Sequence, residues 1–156
     1  MSTRSMVVLR GGKGQSATIF LYRHMDGYPA CAGLDLAEAI GDNTQIKRPA
    51  AQLARKLLDL RYEKQDYQEK ASSIYELADW LPEEQGDLEH VYRVLGAGTS
   101  FARVAHFQRA NWQHDSWLDW PSQSYSPDEF LAFTKRESEA LEERAKAREL
   151  ELAGKK

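Results

Sequence analysis

One predicted strand constrains this chain more than any other feature. Residues 17–24 read Ala-Thr-Ile-Phe-Leu-Tyr-Arg-His, so Ile19 and Leu21 alternate with Phe20 and Tyr22. Successive side chains of a strand project to opposite faces, and here both faces are apolar. Such a strand belongs inside a sheet that is covered on both sides. The run before it, Met6-Val7-Val8-Leu9, connects through Gly11-Gly12-Lys13-Gly14. Two apolar runs around a glycine-rich turn predict a β-hairpin. The glycines do not read as a phosphate loop, because the P-loop spacing is absent and a strand, not a helix N-terminus, follows.

A second hairpin is predicted from residues 88–95 and 101–107, which flank Gly96-Ala97-Gly98-Thr99. With Gly96 opposite Thr99, His90 faces Ala105 and His106 projects from the other face. A shift of one residue sets the two histidines opposite each other as a pair of metal ligands, but no third ligand has the spacing. No metal or cofactor is therefore expected. Residues 31–40 predict a short helix stopped by Gly41, and Pro49 opens another with Leu53, Leu57 and Leu60 on one side. Residues 61–72 are polar and read as a loop. Residues 73–81 stay open between helix and strand, since Ser73 and Glu76 resemble a capping box while Ile74 and Tyr75 favour a strand. Ser126-Pro127-Asp128-Glu129 combines a Ser cap, Pro at the first position and a capping-box Glu, the sharpest helix start in the chain. From Lys135 onward that helix is mostly Glu, Lys, Arg and Ala, and Leu141, Leu150 and Leu152 do not hold a heptad. The expected fold is α+β: two β-hairpins forming a mainly antiparallel sheet, helices packed on one face, and a charged C-terminal helix. The globular domain covers residues 1–125 and the helical tail 126–156.

Composition fits one domain: 156 residues, 42% hydrophobic and 29% charged. A net charge of −3 gives no general attraction to nucleic acid or anionic membranes, so any basic surface has to be local. Cys31 is the single cysteine, which excludes an intramolecular disulfide and fits a reducing compartment. The apolar run Met6 to Leu9 is too short for a signal-peptide core, and no apolar run is long enough to span a bilayer. A cytoplasmic location and no membrane partner are expected.

The densest cluster of chemical side chains is Tyr22-Arg23-His24-Met25-Asp26-Gly27-Tyr28-Pro29. His24 could serve as general acid or base, with Asp26 orienting it and Arg23 holding an anion, if the strand runs on through Asp26. The competing reading is a turn, with Gly27 at positive φ and Pro29 starting the next element. On that reading no residue is catalytic, and Tyr22, Arg23, His24, Asp26 and Tyr28 are candidate binding residues. Tyr-Arg-His-x-Asp-Gly-Tyr-Pro, followed later by Gly-Asp-Leu-Glu-His-Val-Tyr (residues 86–92), resembles a group of small uncharacterised proteins of phages and bacterial mobile elements. The resemblance implies a setting, phage or mobile DNA, and no reaction; if the protein is phage-encoded, its cytoplasm is that of the host cell.

Two further features bear on function. Lys47, Arg48, Arg55, Lys56 and Arg61 gather around the Pro49 helix, but no aromatic residues interleave with them to stack bases. Trp112, Trp117 and Trp120 fall within nine positions of a polar segment. They either pin that segment to the sheet or act as exposed binding anchors. Three functions follow. The first is a non-enzymatic interaction protein, a phage-encoded accessory or inhibitor that binds a host protein. The second is a small enzyme or ligand binder using the Tyr22–Pro29 motif. The third is a nucleic-acid-associated protein using the basic helix.

Overall fold

The computed structural model describes residues 3–11, 18–41, 50–62, 72–84, 86–99, 102–110 and 116–155. Strands β1 (Arg4–Gly11) and β2 (Thr18–Arg23) form the first hairpin, with Met6 opposite Tyr22 and Val8 opposite Phe20. Most of its predicted turn, from Gly12 on, lies outside the described residues. β3 (Tyr75–Leu77) pairs with the free side of β2, so β2 is interior, as its two apolar faces require. Residues 73–81 thus contain a strand: Tyr75 is buried while Glu76 and Leu77 remain exposed at the sheet edge.

The second hairpin is β4 (Leu88–Ala97) and β5 (Arg103–Gln108), and β6 (Ser122–Tyr125) extends it. The six strands run in the order β3-β2-β1-β4-β5-β6. β1 and β4 meet in parallel at the centre, Val7 opposite Tyr92, and the other pairings are antiparallel. The chain is α+β with a mainly antiparallel sheet. The second hairpin corrects the predicted register. Its ladder closes with Leu95 opposite Arg103, not with Gly96 opposite Thr99. Gly96 and Gly98 take φ of 69° and 86°, bending the chain into a wider connection that the two glycines permit. Phe101, expected in β5, lies outside the described residues.

Each face of the sheet buries its own apolar layer. Val7, Leu9, Leu21, Tyr92, Val94 and Val104 face the helices. Met6, Val8, Tyr22, Val91 and Phe107 face the other way, beneath Trp117 and Trp120, with Trp80 at the margin. Every fully buried aliphatic side chain contributes about 1.5–3 kcal/mol, so the alternation in β1 and β2 stabilises both layers at once.

The chain enters α1 (Leu34–Ile40) through a π-helical turn, Pro29–Gly33, so the helical region starts two residues earlier than the expected Cys31. Proline suits that first turn because its missing N–H would have no helical partner there. Gly41, at φ 90°, ends α1 as expected. In α2 (Ala50–Leu58), Leu53 and Leu57 are fully buried and Leu60 packs beside them. Arg61 turns back to the carbonyls of Leu58 and Leu60, closing the helix.

α3 (Pro127–Gly154) begins at the predicted capping box: Glu129 N–H donates to Ser126 Oγ at 3.2 Å and Ser126 N–H to Glu129 Oε2 at 2.9 Å. Its first turns bury Phe130 and Thr134. A Cβ on Gly33 would lie 3.0 Å from the Thr134 methyl, so the glycine lets α3 seat against the π-helical turn. Glu137, Ser138 and Leu141 are still half-buried; from Glu142 to Lys155 every residue is exposed, Leu150 by 74%. No helix among the described residues is long and apolar enough to cross a membrane.

Candidate binding cleft

The Tyr22–Pro29 segment does not assemble one site. β2 ends at Arg23, so His24 and Asp26 are not brought onto one strand face. Tyr22 is buried in the layer opposite the helices, and its hydroxyl meets His24 Nδ1 at 3.1 Å. Arg4 Nε also donates to that nitrogen at 3.3 Å, which occupies His24 at an exposed corner. Arg23 turns to the helix side, where its guanidinium pairs with Asp35 and the Tyr75 hydroxyl lies 3.2 Å from both. That triad ties β2, α1 and β3 together and leaves Arg23 5% exposed, with no open side for an anion. Burial, then the Asp35 charge, push the Tyr75 pKa up, so its hydroxyl remains a donor. Burial likewise raises the pKa of Cys31 and keeps it a thiol.

The turn differs from expectation in one residue. Asp26, not Gly27, takes the left-handed conformation, at φ 56°. An Asp tolerates this because its short side chain bonds locally; here Tyr28 O–H donates to Asp26 Oδ1 at 3.3 Å. Gly27 is required for a different reason. A Cβ there would sit 2.7 Å from the Arg4 carbonyl carbon and from Ser5 N and Cβ. The close approach lets Gly27 N–H donate to Thr3 O at 2.8 Å, and it places Gly27 O where Tyr92 O–H donates at 2.8 Å.

That last bond locates the most functional-looking part of the molecule. Tyr28 and Pro29 wall a cleft of about 500 Å³ whose other sides are His90 on β4, His106 and Gln108 on β5, Gln123 and Tyr125 on β6, and Phe133 and Glu137 on α3. The observed register sets Tyr92 opposite His106, which brings His90 and His106 onto the same, helix-facing side. They are diagonal neighbours. His90 Nδ1 and His106 Nε2 lie 2.9 Å apart, with ring planes at 15° and centroids 5.1 Å apart. A 5.1 Å separation with nearly parallel rings and touching nitrogens is an edge-to-edge hydrogen bond between near-coplanar imidazoles. Face stacking instead comes from Tyr92, whose ring lies 4.9 Å from His106 at 11°.

Both histidines are buried, at 5% and 8% exposure. Burial holds His90 down to about 4, and burial together with His90 holds His106 down to about 3. Near neutral pH both are uncharged, so one donates to the other across the 2.9 Å contact. The consequence for the outer nitrogens follows from imidazole chemistry. If His90 Nδ1 carries the shared proton, His90 Nε2 is an acceptor and His106 Nδ1 a donor; if His106 Nε2 carries it, the roles exchange. The pair therefore always presents one donor and one acceptor. These outer nitrogens bond to no described residue and are not sealed from solvent. Among the described residues no three His, Cys, Asp or Glu side chains are grouped to hold a metal.

Trp117 and Trp120 are 7% and 5% exposed. Trp117 packs edge-on against Phe107 at 4.9 Å, and Arg109 lies over Trp120 at 4.9 Å. Both rings cover the sheet and neither presents an exposed anchor; Trp112 lies outside the described residues. Of the basic helix, Arg55 and Lys56 are exposed and Arg61 is occupied with carbonyls, while Lys47 and Arg48 lie outside the described residues. Sequence reasoning weighed His90 and His106 only as metal ligands and missed the cleft they share with Gln108, Gln123 and Tyr125. The signal was present in the alternation His90-x-Tyr92 and His106-x-Gln108, but it needed the right register. No protein-family model matches the chain, and no curated protein or solved structure matches it.

Proposed function

We propose that this protein binds a small planar ligand, neutral or cationic, in the cleft between β4–β6 and α3. The observation that carries the reading is the buried, hydrogen-bonded His90–His106 pair, open to the cleft through one donor and one acceptor. Glu137 is the formal charge on the described lining, and no Lys or Arg lines it. A phosphate or carboxylate would enter without a counter-charge, which costs several kcal/mol when desolvated. A heterocycle or amidine with adjacent donor and acceptor atoms meets the histidine edge, the Gln108 and Gln123 amides and the aromatic wall of Tyr125 and Phe133, which stack at 4.9 Å. Tyr28 and Pro29 come from the Tyr22–Pro29 motif and His90 from the residue 86–92 segment, the two stretches on which the resemblance to phage and mobile-element proteins rests, and both contribute to this cleft.

Calorimetric titration with adenine, cytosine, benzamidine, acetate and phosphate tests the proposal. The planar neutral or cationic compounds should bind, the anions should not, and His90→Asn with His106→Gln should weaken binding at least tenfold. Binding of the anions alone, or binding indifferent to both histidines, would reject it.

A second reading, interaction with a host protein, is supported by the exposed length of α3 after Leu141. A single helix without a packed face is marginal by itself in water, and docking on a partner would stabilise it. Capture from bacterial lysate by the full chain, lost on truncation after Leu141, is the expected result. Equal capture by the truncated chain would sink this reading.

A further inference from the structure

The face of the sheet opposite the cleft carries three arginines that have no acidic partner among the described residues. Arg10 follows Val8 by two positions in β1, so it leaves the sheet on the side of Met6 and Val8. Arg93 lies on the same side, with its guanidinium 5.0 Å from the Phe107 ring and 6.0 Å from that of Trp117. Arg103 donates from Nε to Ser124 Oγ at 3.2 Å, and Ser124 pairs with Ala105 of the same layer. The pairing fixes their arrangement: Val8 opposite Arg93, Arg93 opposite Ala105, and Leu95 opposite Arg103. Two strand spacings separate Arg10 from Arg103, about 10 Å, and Arg93 is offset along β4 by about 7 Å.

Ion pairs form elsewhere, at Arg4–Asp87 and Arg23–Asp35, and none of these three arginines joins a carboxylate among the described residues. Arg93 Nε is buried with no hydrogen-bond partner. Burial, then the charge of Arg10, lower the Arg93 pKa, a sign that the two cations sit close without neutralisation. In a chain of net charge −3, such a cluster is a local exception. Like charges held together on a folded surface raise its energy unless an anion completes them.

We infer that Arg10, Arg93 and Arg103 form a binding surface for the phosphodiester backbone of single-stranded nucleic acid. Three guanidiniums spread across β1, β4 and β5 suit successive phosphates along an extended strand better than one enclosed anion. Guanidinium faces also stack with bases without sequence preference, and Arg93 is held beside Phe107 and Trp117 at cation–π distance. The surface is separate from the cleft and from the basic helix, and it stands or falls independently of the ligand proposed above.

The test is fluorescence anisotropy of a labelled oligothymidylate about a dozen nucleotides long. Three phosphate contacts on a single strand give a salt slope near −2, so affinity should fall about 20-fold between about 50 and 200 mM salt. Arg10→Glu with Arg103→Glu changes two exposed side chains; with the circular dichroism spectrum retained, affinity should fall more than tenfold and the slope should flatten from about −2 to about −0.7. Arg55→Glu with Lys56→Glu, on α2, should leave both unchanged. No binding by the native protein, or native affinity in the Arg10/Arg103 variant, overturns the inference. Loss of binding in the α2 variant would place the interface on the helix instead. Tighter binding of a duplex, or binding of inorganic phosphate without the oligonucleotide, would reject the single-strand assignment.

Discussion

Acidification should destabilise this protein through two side chains, and the size of the effect follows from their burial. His90 and His106 are held neutral in the folded state, at about 4 and about 3. In the unfolded chain each titrates near about 6.5. Between those values the unfolded chain binds more protons. Stability from the pair is thus complete above about pH 6.5 and is lost progressively as pH falls toward the folded values. From pH 7 to pH 5 each histidine costs about 2 kcal/mol, so together they remove about 4 kcal/mol. For a domain of this size that lowers the melting temperature by about 7–15 °C. The comparison protein is His90→Asn with His106→Gln, which keeps an amide atom near each bonded ring nitrogen and cannot titrate. His24 and His114 stay in both proteins, so their contributions cancel. Urea unfolding at pH 5, 6 and 7, followed by tryptophan fluorescence, gives the two slopes. The native protein should lose about 4 kcal/mol more than the variant over this range. Equal pH dependence in both would show that the histidines are protonated in the folded state and that the neutral pair does not exist.

Three other perturbations follow from particular contacts. Gly27→Val places its Cβ within 2.7 Å of the Arg4 and Ser5 backbone, so it should cost more than about 2 kcal/mol in chemical denaturation; a neutral result would show that the turn can withdraw from β1. Truncation after Leu141 removes a segment whose described residues are all exposed, and the melting temperature should change by less than about 5 °C; a larger fall would reveal packing of the tail on the body. Trp117→Ala should cost about 3–5 kcal/mol in urea unfolding, because it opens a cavity over Phe107; a change below about 1 kcal/mol would mean that the covering segment is loosely held.

Local chemistry made much of the fold legible. The two-faced pattern of β2 called for an interior strand, and β3 supplies the missing neighbour. The Ser126–Glu129 box is the start of α3 because both reciprocal bonds depend on only four residues. Gly41 ends α1 for the same local reason. Long-range pairing was another matter. Gly96 and Gly98 permit several connection lengths, and a change of one residue flips every side chain of β5 to the other face. The cleft was hidden by that ambiguity, since the predicted register sends His90 and His106 to opposite faces and the observed one, with Leu95 opposite Arg103, makes them diagonal neighbours on the helix side. Nothing near Arg4 or Ser5 in sequence announces that Gly27 will press against them, so its glycine read as turn freedom. The Tyr22–Pro29 segment was legible as important and not as divided: its residues serve two layers, a corner and the cleft wall, because a strand sends neighbours to opposite sides.

The parallel joint between β1 and β4 also bears on how the protein is made. Val7 pairs with Tyr92, which lies 85 residues later in the chain. A ribosome adding about 5–20 residues per second needs about 4–17 s to cover that distance. Throughout this interval the first hairpin can form, but the outer edge of β1 has no β4 to receive its backbone groups. Met6-Val7-Val8-Leu9 is then an unpaired apolar edge, open to other nascent chains. Expression at high levels should therefore be limited by association of partial chains before the second hairpin emerges, and slower synthesis would lengthen the exposure of that edge.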